Sequence, residues 1–236
     1  MRSVLALLQF CTSLPLGKPV EFEHFARRSY LYPIAGYVIG GIAAGIVSCI
    51  GSPVIGAAVA LAMVLILSGC NHFDGLLDLG DGLMAHGSRE KRVAAMTDRS
   101  TGAGAVAAGI IVMLIAFAAL QETAHLPAAI LTAEVSAKVA MSYLTTLGPP
   151  FREGIHSYFH DFAQPWFLIP ATLLALPLFL LPLPRVSIAL ALALTAGITA
   201  AMMLLARRLF GGVNGDVVGA TNEITRAGVL LLLALL

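Results

Sequence analysis

Apolar residues come in long runs, and short polar segments separate them. No Asp, Glu, Lys or Arg lies between Arg28 and Asp74, a gap of 45 residues. Gly51-Ser52-Pro53 interrupts it near the middle, which is a turn signal. One membrane crossing needs roughly 20 apolar residues, so the gap predicts two helices, over about residues 30–50 and 53–70. Further charge-free runs cover residues 100–121, 162–184 and 186–206. Residues 126–147 are apolar apart from Glu134 and Lys138, and residues 217–236 carry only Glu223 and Arg226. The pattern predicts an all-α, polytopic membrane helix bundle of about seven transmembrane helices, folded as a single domain over residues 1–236. Residues 2–16 have the early positive charge and short apolar run of a signal peptide. They lack a small-x-small cleavage site, and Pro15 and Gly17 end the run. A retained, short interfacial helix is expected there.

Composition agrees with a lipid environment. Hydrophobic residues make up 58% of the chain and charged residues 11%, with a mean hydropathy of +0.90. A soluble domain carries roughly 25% charge, and disorder needs low hydrophobicity with high charge. The net charge of +1 points to no nucleic-acid partner. Cys11, Cys49 and Cys70 form no CxxC pair, so buried apolar thiols are expected rather than a disulfide framework or a zinc site.

The basic residues orient the chain. With seven spans, Lys18, Arg27, Arg28, Arg89, Lys91, Arg92, Arg99, Arg152, Arg207 and Arg208 fall in loops on one side, and only Arg185 falls on the other. The expectation is a multi-pass protein of the cell (inner or plasma) membrane whose active site faces the cytoplasm.

The most informative segment runs from Asn71 to Gly82 and opens a cytoplasmic loop of about residues 71–102. Asp74, Asp78 and Asp81 stand at i, i+4 and i+7, on one narrow helical face. Three stacked carboxylates repel one another unless a divalent cation lies between them, and hard oxygen ligands select Mg²⁺ or Mn²⁺. The alternative is a solvated acidic face. Gly75 and Gly82 follow two of the aspartates and are expected to leave room for a bulky phosphorylated ligand. His72 is either an interfacial histidine or a proton acceptor. Downstream, Asp98-Arg99-Ser100-Thr101-Gly102 opens the next span. A helix N-terminus attracts anions, so Arg99, Ser100 and Gly102 are candidate phosphate contacts. Asp98, a fourth carboxylate, fits a two-metal phosphoryl-transfer site.

Two further clusters are polar. Glu134 and Lys138, at i, i+4 inside a span, make either a structural ion pair or a substrate contact. Asp216 and Glu223 share a helical face after Gly211-Gly212-Val213-Asn214-Gly215, and Asp216 is either an N-cap or a site residue.

These residues resemble the cobalamin synthase (adenosylcobinamide-GDP ribazoletransferase) family almost end to end. His72, Asp74, Gly75, Asp78, Asp81 and Gly82 are similar to its His-x-Asp-Gly-x-x-Asp-x-x-x-Asp-Gly type signature. Phe22-Glu23-His24-Phe25, Arg27-Arg28 and Tyr32-Pro33-Ile34-Ala35-Gly36 resemble its first cytoplasmic segment. Met96-Thr97-Asp98 resembles its second carboxylate motif, and Gly211-Gly212, Gly215-Asp216, Gly219-Ala220 and Glu223 its C-terminal motif. The chain departs at Asp98-Arg99-Ser100-Thr101-Gly102, where the family commonly reads Asp-Ser-Arg-x-Gly. It departs again at Lys138, where some members carry arginine. A lysine keeps the charge and loses the bidentate fork.

The resemblance implies a transferase of late cobalamin biosynthesis. Its substrates are adenosylcobinamide-GDP and α-ribazole or the 5′-phosphate of α-ribazole. Its products are adenosylcobalamin, or the phosphate of it, and GMP. Asp74, Asp78, Asp81 and Asp98 are the expected ligands of one or two Mg²⁺ ions. These four and His72 are the expected catalytic groups. Gly75, Gly82, Arg99, Ser100, Gly102, Asp216 and Glu223 are the expected substrate contacts. A complex with other enzymes of the pathway is a further expectation.

Two rival readings separate cleanly. A CDP-alcohol phosphotransferase of phospholipid synthesis also uses helix-borne aspartates, but its usual motif has Asp-Gly-x-x-Ala-Arg, where this chain has Asp74-Gly75-Leu76-Leu77-Asp78. It would release CMP rather than GMP. A secondary transporter would use the intramembrane charges as an ion path. Transporters place their site near the midplane between repeats, and no repeat is visible here.

Overall fold

The computed structural model describes residues Met1–Leu236. In chain order its helices are α1 (Arg2–Cys11), α2 (Glu23–Ala26), α3 (Tyr32–Val47), α4 (Pro53–Leu67), α5 (Asn71–Met84), α6 (Arg89–Met96), α7 (Ala103–Glu122), α8 (Leu126–Leu147), α9 (Ile155–Phe162), α10 (Leu168–Leu173), α11 (Arg185–Leu209) and α12 (Gly215–Leu235). The one extended pairing is an isolated bridge between Pro150 and Val213. It clips the segment after α8 to the segment before α12.

Local chemistry sets the helix starts. Ser52 accepts a hydrogen bond from the Ile55 N–H, and Pro53 follows at the first turn of α4. Asn214 caps α12 by accepting from the Val217 N–H at 3.1 Å. Asp216 is therefore not the cap. The expected span at 162–184 does not form one helix. Pro165, Pro170, Pro177, Pro182 and Pro184 divide it into α10 and short 3₁₀ turns, because each proline removes a donor and clashes with the preceding turn.

α8 runs through the middle of the bundle and packs against α3, α11 and α12. Its Glu134 and Lys138 are fully buried, whereas Val106, Ile110, Ile111 and Leu114 of α7 face outward. Charges inside and apolar side chains outside suit a lipid surround and not water. Four helical segments are long and apolar enough to cross a membrane, or up to six if each of two bent pairs counts as one span. α4 and α5 form one such pair, bent by 94°. At 14 residues, α5 is too short to cross a hydrocarbon core of roughly 30 Å alone.

α1 ends well before Pro15, and its Leu7 and Cys11 are buried in the core. The other two cysteines correct the expectation of burial. Cys49 and Cys70 are exposed, because they sit in the turns that end α3 and α4.

Candidate active site

The expected loop 71–102 is mostly helical. α5 carries Asp74, Asp78 and Asp81, α6 follows, and a turn at residues 97–102 leads into α7. A cavity of about 450 Å³ opens between these elements and the start of α12. Asp74, Asp78, Asp81, Asp98 and Asp216 all line it, with Arg99, Ser100, Thr101 and Arg152. Three chain segments far apart in sequence thus supply five carboxylates and two guanidinium groups to one space.

Asp81 has a specific task. Its Oδ2 accepts from the Gly102 N–H at 2.7 Å and its Oδ1 from the Ala105 N–H at 2.9 Å. Gly102 is the N-cap residue of α7 and has no side chain with which to cap it. Asp81 caps that helix from α5, where a carboxylate also complements the helix dipole. The expected phosphate contact at the Gly102 N–H is therefore already taken by protein. Asp98 folds back on its own turn, accepting from the Ser100 N–H at 3.1 Å.

Electrostatics match the crowding. Burial pushes the Asp78 carboxyl up to about 6, aided by the charges of Asp216, Asp74 and Asp81 and opposed by Arg152. Asp216 accepts from Asn214 Nδ2 at 2.6 Å and lies 3.8 Å from the Arg152 guanidinium. The donor set is hard carboxylate oxygen, in excess over nearby positive charge, and that fits a divalent cation. No three His, Cys, Asp or Glu side chains make a ready-formed metal cage. Mg²⁺ suits such openness, because it binds through one or two carboxylates and completes its shell with water and phosphate oxygens.

Other expected site residues stand elsewhere. A Cβ on Gly75 would meet the Asp216 carbonyl oxygen at 2.7 Å, and one on Gly82 would meet Met96 Cβ at 2.9 Å. The space these glycines leave is filled by protein, α12 in one case and α6 in the other, and not by ligand. They lie about 100° around the helix from the aspartates they follow. Glu223 is also removed from the cavity. It takes a bidentate contact from Arg226, at 2.5 and 2.8 Å. Arg226 also donates to Glu134, and Lys138 donates to Asn222 at 2.7 Å. Glu134, Lys138, Glu223 and Arg226 are at most 1% exposed. This is a closed, charge-balanced network joining α8 to α12, and it resolves the pair Glu134 and Lys138 as structural.

His72 lines a second cavity of about 380 Å³, beside the first. Burial, with the charges of Lys138 and Arg226, lowers its pKa well below the ordinary histidine value and keeps it neutral. His156 lines the same space. Asp216 lines both cavities. Sequence reasoning missed Arg152 and His156. A lone arginine in a basic loop reads as an orientation signal, and the one available hint was the His156/His160 pair at i, i+4.

Comparison with known proteins adds the family. The profile described as cobalamin-5-phosphate synthase matches residues 3–234. The chain is 36% identical to an adenosylcobinamide-GDP ribazoletransferase of Halorubrum lacusprofundi, over 94% of this chain and 93% of the relative. A relative of the same name from Methanocella arvoryzae is 35% identical, over 98% and 94%. Another from Thermococcus kodakarensis is 32% identical, over 97% and 96%. No solved structure matches significantly.

Proposed function

The chain belongs to the cobalamin-5-phosphate synthase family of transferases, and from that premise we propose that its acidic cavity joins adenosylcobinamide-GDP to α-ribazole, or to the 5′-phosphate of α-ribazole. The observation that carries this reading is the meeting of five carboxylates, Arg99 and Arg152 in one open cavity. A nucleoside diphosphate donor brings negative charge that carboxylates alone would repel. Asp74, Asp78 and Asp98 are the residues that would hold Mg²⁺, which when bound would supply positive charge to offset that developing on the leaving phosphate.

The residues divide the remaining work. A ribazole hydroxyl attacks the phosphorus on the cobinamide side of the diphosphate. One P–O bond forms, the bond to the bridging oxygen breaks, and GMP leaves. The proton of the attacking hydroxyl goes to a carboxylate. Asp216 suits that role because it borders both cavities and is not the helix cap. Arg99 and Ser100 orient phosphate oxygens. Asp81 anchors the turn that presents Asp98, Arg99 and Ser100. The bilayer surrounds α3, α4, α7, α11 and α12, and the cavity opens on the cytoplasmic side, where the basic loops lie. Purified protein incubated with both substrates and Mg²⁺ should yield adenosylcobalamin, or its phosphate, and GMP in equal amounts. Release of no GMP, or corrinoid product without GMP, overturns this reading.

A further inference from the structure

The segment that carries Arg152 is fixed at its base, and two histidines supply part of the restraint. Pro149 and Pro150 stop α8, because a proline has no N–H with which to continue a helix. In a longer helix the Thr145 carbonyl would accept from residue 149. His160 stands in for that donor, with its Nδ1 2.9 Å from the Thr145 oxygen. His156 serves the capping residue in the same way, with its Nε2 2.9 Å from the Gly148 carbonyl oxygen. A carbonyl only accepts, so each of these ring nitrogens carries the proton. His156 is 4% exposed, so water cannot readily replace it.

The start of α12 holds the same segment from its other side. The Val213 N–H donates to the Pro149 carbonyl oxygen at 2.9 Å, and the Phe151 N–H donates to the Val213 carbonyl oxygen at 3.3 Å. A Cβ on Gly212 would sit 2.6 Å from the Pro149 oxygen, so this approach needs glycine. The restraints end at Phe151 and resume at Gly154, whose N–H donates to Ser157 Oγ at 2.9 Å. Arg152 lies between them and lines the acidic cavity. Its side chain is 46% exposed, and its guanidinium stands 3.8 Å from Asp216, too far for a hydrogen bond. A guanidinium on a fixed base, with donors to spare, matches phosphate oxygens through its planar fork.

We propose that Arg152 takes a phosphate oxygen of the nucleoside diphosphate donor, and that His156 and His160 are positioning residues for it. They act by fixing the short strap between α8 and α9, and they touch no substrate themselves. The inference rests on the donor assigned under Proposed function.

Binding of GDP to purified protein in Mg²⁺, measured by equilibrium dialysis, tests this without turnover. Arg152→Gln should weaken GDP binding roughly tenfold to a hundredfold, the loss expected for a charged hydrogen bond. His156→Asn, with an amide too short to reach Gly148, should weaken it about threefold to tenfold, the worth of one neutral hydrogen bond. His156→Gln places an N–H near the Nε2 position and should bind like wild type. At residue 160 the order reverses, because the donor there is Nδ1: His160→Asn should bind like wild type and His160→Gln should not. In Arg152→Gln protein, adding His156→Asn should weaken GDP no further, since the histidine acts through the arginine. With α-ribazole as acceptor, the donor brings the only phosphates, so the KM for adenosylcobinamide-GDP should rise in Arg152→Gln and His156→Asn while that for α-ribazole holds. Equal weakening by His156→Asn with and without Arg152 marks a merely structural histidine and overturns the proposal. Equal losses from His156→Gln and His156→Asn, wild-type GDP binding by Arg152→Gln, or no GDP binding by wild-type protein overturn it as well. A wild-type protein that shows this binding pattern but releases no GMP from the two substrates fails the proposed function and leaves the positioning result standing.

Discussion

Replacing Arg226 with leucine tests the buried network that ties α8 to α12. In the folded protein Arg226 donates to both Glu134 and Glu223. Its loss leaves two carboxylates facing Lys138 alone, and Lys138 is 3.7 Å from Glu134 and hydrogen-bonded to Asn222. Breaking a buried pair by deleting one partner costs about 3–5 kcal/mol. For a chain of this size that is a fall of roughly 6–20 °C in unfolding temperature. Arg226→Lys should recover little of it, since an ammonium cannot take the two-pronged contact to Glu223. Lys138→Met should cost clearly less than Arg226→Leu, because the guanidinium keeps both carboxylates paired. The assay is thermal unfolding in detergent, followed by loss of helical circular dichroism. An Arg226→Leu protein as stable as wild type, or a Lys138→Met protein less stable than Arg226→Leu, would refute the pairing as described.

Three other outcomes follow from the site. Asp81→Ala should release the 97–102 turn from α5, removing two charge-assisted hydrogen bonds and lowering stability by about 1–3 kcal/mol, with faster proteolysis at that turn than in wild type; unchanged proteolysis would contradict the anchoring role. Gly75→Leu should force α5 from α12, since even a Cβ would sit 2.7 Å from the Asp216 carbonyl oxygen, and turnover should drop even where the protein stays in solution; normal turnover would mean the helix contact is dispensable. The raised Asp78 carboxyl destabilises the fold as pH climbs from the ordinary carboxylate value through about 6, the reverse of a salt-bridged carboxylate. Mg²⁺ relieves the repulsion only where Asp78 is ionised, so it should raise the unfolding temperature more at about pH 7.5 than at about pH 5; an equal shift at both would argue against cation binding at Asp78.

Much of this was legible in the chain because charge is so scarce. Long charge-free runs located α3, α4, α7 and α11 within a few residues of their ends. The i, i+4, i+7 spacing placed Asp74, Asp78 and Asp81 on one face of α5, as found. What failed to show is long-range pairing. Nothing in the spacing of Asp81 says that it will cap a helix 21 residues later, because the cap depends on how α5 meets α7. Glu223 shares a helical face with Asp216 in sequence terms, yet α8 covers one and the cavity opens at the other. The prolines of residues 162–184 were in plain view, and the absence of charge outweighed them in the span reading. Arg152 and His156 gain meaning only when the Pro150–Val213 bridge draws the segment after α8 toward the start of α12.

Turnover by Asp78→Asn protein tests the carboxylate site most directly. With adenosylcobinamide-GDP, α-ribazole and Mg²⁺ supplied, wild-type protein should release GMP and the Asp78→Asn protein should release almost none, although it remains folded in detergent. GMP release by Asp78→Asn at a near wild-type rate would contradict the assignment of this cavity as the site of transfer.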